Sequence, residues 1–297
     1  MIEEKKDNSF SAAPPKSSSS KHFIKVMSGR WVVIFGFVVI LIFIIVAIFA
    51  PWIAPSGENV QDLTQTLAQP SLSHWLGTDE LGRDLLSRVI YGSRISLLVG
   101  LVATTMAGVI GMSLGLLAGY LGGWVNTIIM RCVDALLALP PLILMLAISA
   151  ILGRGVLNVL IALGIGMMPT YCRLMCGQVI TIRERDFVLV SRGMGSGHMR
   201  VMLRHILPNT FPPLIVLLTI NLGGAIMAEA SLSFLGVGVL PPTATWGAMV
   251  SQGYRFILTN PLESFAPGIA ILLVVLAFNM FGDGLRDALD PRLRGLI

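Results

Sequence analysis

The sequence predicts an all-α membrane protein of about six transmembrane helices. Only 12% of its 297 residues are charged and 55% are hydrophobic, where a soluble domain of this length would carry about a quarter charged. Apolar runs of about twenty residues recur along the chain, each enough to cross a hydrocarbon core about 30 Å thick. The formal charge of +5 comes from arginine and lysine kept in loops, the balance of a membrane protein rather than of a nucleic-acid binder.

The elements follow in order. Residues 1–28 are polar, rich in serine and too poor in apolar side chains to build a core, which predicts a disordered cytoplasmic tail. Residues 29–55 hold a first anchor, with the apolar run WVVIFGFVVILIFIIVAIFA from Trp31 to Ala50. It exceeds the roughly 7–15 apolar residues of a signal peptide. Pro51 and Trp52 follow where a small-residue cleavage site would stand. Residues 56–94 read as a polar extracytoplasmic segment. Residues 95–290 form the core, with spans predicted at Ile95–Tyr120, Ile128–Leu152, Val156–Cys176, Phe211–Leu235 and Phe265–Leu285, and 291–297 a short cytoplasmic tail. With the amino terminus inside, 16 of the 21 lysines and arginines fall on one side and five on the other. That bias predicts both termini, and the stretch 183–209, to be cytoplasmic.

Within the spans, Gly111, Gly115 and Gly119 recur every fourth residue on one helix face, the spacing that lets a second backbone approach closely. Pro140, Pro141 and Pro169 interrupt backbone hydrogen bonding inside predicted spans, tolerated where neighbours or water re-satisfy the carbonyls. Asp134 and Glu229 are ionisable groups within or at the edge of spans, and so functional candidates. A pairing of Asp134 with Arg131 one turn earlier is the structural alternative. Cys172 and Cys176 stand one helical turn apart, a spacing open to a metal, but no histidine or carboxylate lies close in sequence to complete a site. They read as packing thiols, and no metal site is expected.

Catalytic signatures are missing. All five lysines lie within the first 25 residues, so no Gly-Lys phosphate-binding loop can follow and no lysine remains for a buried Schiff base. Neither H-E-x-x-H nor G-x-S-x-G occurs. The chain is not expected to be an enzyme. If it moves solute uphill using ATP, another chain must hydrolyse it.

One basic piece interrupts the apolar runs: RERDFVLVSRGMGSGHMRVMLRHILPN, Arg183 to Asn209. Phe187, Val190, Ser191 and Met194 make one short apolar stripe. Met199, Met202, Leu203 and Ile206 make another, with Arg200 and Arg204 on a different face. Gly193, Gly195 and Gly197 separate the two, and Pro208 is expected to end the second before the next span. The pattern specifies two short amphipathic helices about a glycine hinge. A helix lying on lipid would give a similar stripe, but a docking element for a cytoplasmic partner suits the hinge better. On the outer side, Asp79, Arg83, Asp84 and Arg88 are spaced so that Asp79/Arg83 and Asp84/Arg88 could pair on a helix. They read as shaping the outer mouth or a partner contact, against the alternative of a solvated face.

The basic stretch resembles the cytoplasmic coupling loop of ABC-importer permeases, whose form runs roughly D-Y-V-E-A-A-R-A-L-G and, about nine residues on, R-H-I-L-P-N. Asp186, Phe187 and Val188 match its opening and Arg192 and Gly195 its middle; Arg204, His205, Ile206, Leu207, Pro208 and Asn209 match its end. Leu189, Val190 and Ser191 replace the family's Glu-Ala-Ala. LGTDELGRDLLSRVIYGSRISL (Leu76–Leu97), AEASLSFLGVGVLPPTATWGAM (Ala228–Met249) and FNMFGDGLRDALDPRLRG (Phe278–Gly295) are similar to the second permease subunit of dipeptide, oligopeptide, nickel and glutathione importers. The resemblance implies a type I ABC-importer permease fold in a bacterial inner membrane. It also implies a homologous permease partner, two ATPases carrying the ATP and magnesium, and an extracytoplasmic substrate-binding protein. Gly193 and His198 fall in the implied coupling loop. Peptides are the leading solute class. Glutathione is an alternative, and nickel a weaker one because no predicted span holds a histidine. A self-contained secondary transporter or channel would instead show an inverted repeat or a chain of intramembrane acids.

Overall fold

The computed structural model describes Met27 and residues 29–289; the expected tails at 1–28 and 291–297 lie outside these, apart from Met27. The described residues fold into nine main helices, α1 (Trp31–Ile53), α2 (Leu85–Leu121), α3 (Gly123–Leu137), α4 (Pro141–Leu152), α5 (Val156–Arg183), α6 (Asp186–Gly193), α7 (His198–Phe234), α8 (Trp246–Gly253) and α9 (Leu262–Leu289), with short 3-10 turns at Leu63–Gln65 and Tyr254–Phe256. A single isolated bridge, Thr78 to Asp84, is the only β pairing among them. The helices α1, α2, α5, α7 and α9 are each long and apolar enough to cross a membrane.

The sixth expected span, Ile128–Leu152, is broken rather than continuous, and with it the described residues hold up to six spans. It is two helices, α3 and α4, bent by 92°. The cause is local. Pro140 caps α4 and Pro141 opens it; Pro141 has no N–H, and its ring disfavours helical backbone at the preceding residue. The two prolines lie between helices rather than inside one, whereas Pro169 does sit within α5.

The axis of the bundle is α2. Its 37 residues extend for roughly 55 Å, longer than the hydrocarbon core. Asp84 caps its start by accepting from the Ser87 N–H, and Gly122, at φ 68°, closes its end. The glycines at 111, 115 and 119 are all buried and face α5. A Cβ on Gly111 would lie 2.7 Å from Tyr171 Cβ, one on Gly115 2.7 Å from Met175 Cβ, and one on Gly119 2.8 Å from Val179 Cβ. Side chains at these positions would wedge the two helices apart.

Other elements attach to this pair. The buried Trp246 of α8 donates its indole N–H to the Val89 carbonyl at 2.9 Å, and its ring meets Phe43 of α1 edge-on at 5.5 Å. Tyr171 of α5 accepts from Asn221 of α7 at 3.0 Å. Near its C-terminal end α4 is tied to the loop before α8 by Ser149, whose hydroxyl donates to the Val237 carbonyl. The peripheral helix is α1, with only Val33, Gly36 and Ala50 buried. It rests on α9 through Phe37 against Phe281 and an Arg30–Asp287 ion pair. Its remaining apolar surface is left to lipid.

Gly115→Ala places one methyl against the α5 backbone, so it should destabilise by about 1–3 kcal/mol, the usual cost of overpacking. Gly177→Ala, on α5 but with open space around its Cβ position, should be neutral. Thermal unfolding of the two variants in detergent checks the contrast.

Candidate functional site

The stretch 183–209 begins where α5 ends at Arg183. A single turn leads into α6, with Asp186 in its first turn and Arg192 in its last, both favourable to the helix dipole. After α6 the chain reverses at Gly195, whose φ of 82° is backbone that a residue with a Cβ rarely adopts. The Ser196 N–H returns to the Ser191 carbonyl at 3.1 Å, and the two hydroxyls hydrogen-bond at 3.1 Å. Helix α7 then starts at His198.

Two expectations about this stretch are corrected. The second short helix does not end at Pro208. It runs on into the span as α7, through a π-helical stretch at Val201–Ile206. There the Leu207 N–H reaches back five residues to the Met202 carbonyl. This shifted register takes up the break before Pro208, whose missing N–H falls at the start of the regular helix. The stripes also divide differently. Met202 and Ile206 are buried with Val201, and Val188 and Ser191 with them. The i→i+5 turn changes the register at Val201–Ile206 and turns Met202 and Ile206 inward, while Val188 and Ser191 are the buried face of the regular helix α6.

The buried members join Leu116 and Tyr120 of α2 and Met175 and Val179 of α5 in one apolar cluster. Phe187, Leu189, Val190, Met194, Met199 and Leu203 stay exposed, Met194 at 77%, among the exposed Arg185, Arg192, Arg200 and Arg204. So the stretch is rooted in the bundle on one face and presents an apolar surface edged with arginines on the other. His205 accepts from the Asn209 side chain through its carbonyl at 2.7 Å. His198 meets Tyr120, with Nδ1 and hydroxyl 3.0 Å apart.

Asp79, Arg83, Asp84 and Arg88 form a second constellation, in which the expected Asp79/Arg83 pair forms, the Asp84/Arg88 pair does not, and the four are buried rather than a solvated face. Asp79, Arg83, Asp84 and Arg88 are each only 2–3% exposed. Asp79 to Asp84 is a turn rather than a helix, because Gly82 takes φ 68°. Asp79 accepts from Arg83 Nε at 2.6 Å and from the N–H groups of Leu81 and Arg83 at 2.9 Å each. Arg88 turns to Asp79, 3.4 Å away, not to Asp84, and donates to the Glu58 carbonyl. Asp84 instead caps α2 through Ser87 and meets His74 Nδ1 at 2.9 Å.

Sequence reasoning missed the partners that seal this cluster. Asn260 donates to the Thr78 carbonyl at 3.2 Å, and Glu263 of α9 is 2% exposed. Their signal was a buried position far along the chain, which no local spacing reveals. Nearby, the exposed Asp62 carboxyl is held below the usual carboxylate range by the hydroxyl and N–H of Thr64.

The remaining candidates stay apart. Asp134 pairs with Arg173 of α5 rather than Arg131, across two helices and half exposed. Glu229 is fully buried in α7 and accepts from the Ser233 hydroxyl at 2.8 Å. Cys172 and Cys176 are buried, and Asn126 donates to Cys176 Sγ at 3.3 Å. No cluster of three metal-ligating side chains exists among the described residues. A cavity of about 380 Å³ lies between α4, α5 and α7, lined by Met145, Met167, Thr170, Asn221, Met227 and Ser231 among others.

The described residues thus form a helical bundle of five helices long enough to span a membrane, with a loop rooted on one face and apolar on the other. Residues 111–295 match the family described as binding-protein-dependent transport system inner membrane component, and residues 22–70 match the N-terminal TM domain of oligopeptide transport permease C. The chain belongs to this family: it is a multi-pass inner-membrane permease of the ABC-importer class, of the C type, and a non-catalytic subunit. It is 44% identical over 261 residues to the dipeptide transport system permease protein DppC of Alkalihalophilus pseudofirmus, covering 88% of this chain and 86% of that one. It is 46% identical over 257 residues to the glutathione transport system permease protein GsiD of Escherichia coli, covering 86% and 85%. The fold is also that of the MetNI methionine ABC transporter in inward-facing conformations, with a TM-score of 0.55 at 20% identity, over 69% of this chain and 98% of that one.

Asp79→Ala would strand Arg83 and Arg88 without their shared anion. Breaking a buried pair this way costs about 3–5 kcal/mol. The variant should give little folded protein, seen as a loss of the monodisperse peak on size exclusion. Glu80→Ala, in the same turn, keeps the backbone N–H that meets Glu263 and removes only the half-buried side chain, so it should purify normally.

Proposed function

We propose that this chain is one of two homologous permeases in an importer with two ATPases and an extracytoplasmic binding protein. Its termini and the 183–209 loop are cytoplasmic, and its solute is a short peptide. The observation that carries this reading is the exposed face of the loop. Six apolar side chains edged with arginines stand on a hinge rooted in the bundle, a surface suited to a cleft on a soluble partner. ATP and magnesium are held by that partner. When the ATPases close, the loop moves with them and the spans alternate access to a central path.

Support for the solute comes from relatives named for dipeptide and glutathione transport, both short peptides. The cavity between α4, α5 and α7, mostly apolar with Thr170, Asn221 and Ser231 as polar points, suits this chain's half of the path. The outer charge cluster holds the extracytoplasmic segment in shape at the mouth.

Cysteines placed at Ser73 and at Met194, both exposed, should label from opposite faces once the exposed Cys132 is replaced by serine. Labelling from one side would overturn the topology.

Gly195→Val forces a β-branched residue into left-handed backbone, at a local cost of about 1–3 kcal/mol. The variant should insert and pair with the second permease, yet lose bound ATPase or its stimulation by the binding protein. Val190→Asp, which puts a charge in the exposed stripe, should lose the ATPases on co-purification. Normal ATPase retention by both variants would favour a loop resting on lipid.

A further inference from the structure

The loop enters the membrane by three routes. Two are continuous backbone: α5 ends in the loop and α7 starts from it. Along α7 the π stretch at Val201–Ile206 comes between the loop and the regular helix. Such stretches hold their hydrogen bonds in a different register and are frequent at functional sites. The third route leads to α2, which has no chain connection to the loop, because beyond Leu121 it passes to α3.

Contact with α2 is partly apolar, through Leu116 and the Tyr120 ring against Val188, Val201, Met202 and Ile206. Apolar contacts of this kind resist separation but allow sliding, since dispersion and burial are non-directional. Direction comes from two polar links. Arg183 donates to the Gly119 carbonyl at 2.8 Å, from the end of α5. Tyr120 and His198 are hydrogen-bonded at 3.0 Å, with their rings edge-to-face at 5.7 Å. Only the second link reaches the loop beyond the glycine turn. At 9% exposure Tyr120 is fixed in the cluster, whereas His198 is the first residue of α7 and lies at the surface.

We infer that the Tyr120–His198 hydrogen bond is a positioning contact that passes displacement of the loop to α2. At its other end, α2 carries Asp84 and Arg88 in the buried outer cluster. An unbroken 37-residue helix thus joins the loop to the extracytoplasmic cap, roughly 55 Å away along its axis. A rigid rod can carry a small shift over that distance where a loop or a broken helix cannot. Glycine packing binds α2 to α5, so the two helices move together and the signal spreads into the bundle.

This inference rests on the loop being the ATPase contact. The test uses the complete transporter with its own binding protein as purified. Tyr120→Phe removes only the hydroxyl. It should assemble, keep both ATPases and retain the basal hydrolysis rate. Maximal stimulation by the binding protein should fall about five-fold, the scale of one hydrogen bond, at an unchanged half-maximal concentration. His198→Ala should lower the maximum to a similar degree, and the double variant no further. A purely structural tyrosine would instead lower assembly and leave the stimulated-to-basal ratio intact. Full stimulation in Tyr120→Phe, or additive losses in the double variant, overturns the link. If Val190→Asp keeps its ATPases, the fault lies instead with the placement of the contact.

Discussion

Backbone proximity between α2 and α5 is the constraint on which the rest of the structure depends. In lipid, helices gain nothing from hiding apolar surface from one another, because the acyl chains are as apolar as leucine; close van der Waals packing is what remains. Three buried glycines, at 111, 115 and 119, allow α5 to lie where side chains would otherwise stand. The alignment puts Tyr171, Met175 and Val179 over α2. The same alignment brings Tyr120 and the end of α5 together beneath the loop.

At the start of α2, the segment that precedes it is fixed by charge rather than by apolar packing. Burying Asp79, Arg83, Asp84 and Arg88 costs several kcal/mol per ion in desolvation. Pairing and dense hydrogen bonding to backbone, Ser87 and His74 offset that cost. Such a cluster tolerates little rearrangement, since each displaced oxygen or guanidinium would be left dry and unpaired. The 31-residue connection from Ala54 to Asp84 is thereby held in one shape over the starts of α2 and α9. At the opposite end the balance is reversed. The loop keeps six apolar side chains in the open, a liability on a free protein and an asset in a subunit that works only in a complex.

The sequence by itself determined the class, the membrane, the long helices and the existence of a hinged basic loop. These follow from local information: apolar runs of a given length, glycines at a fixed spacing, and motifs contiguous along the chain. It could not place side chains whose partners are distant. The 3.6-residue period assigned Met202 and Ile206 to an outward stripe, but a π turn rotates them inward. Helical spacing matched Arg88 to Asp84, yet a left-handed glycine turns the chain and gives Arg88 to Asp79. Asp134 finds Arg173 on α5 rather than Arg131 on its own helix. The roles of Asn260, Glu263 and Tyr120 were invisible for the same reason. Each meets residues far away in sequence: Asn260 meets Thr78, Glu263 lies beside Asp79 and Glu80, and Tyr120 meets His198. Which pairs form is decided by how whole helices pack, and that is a property of the tertiary structure alone.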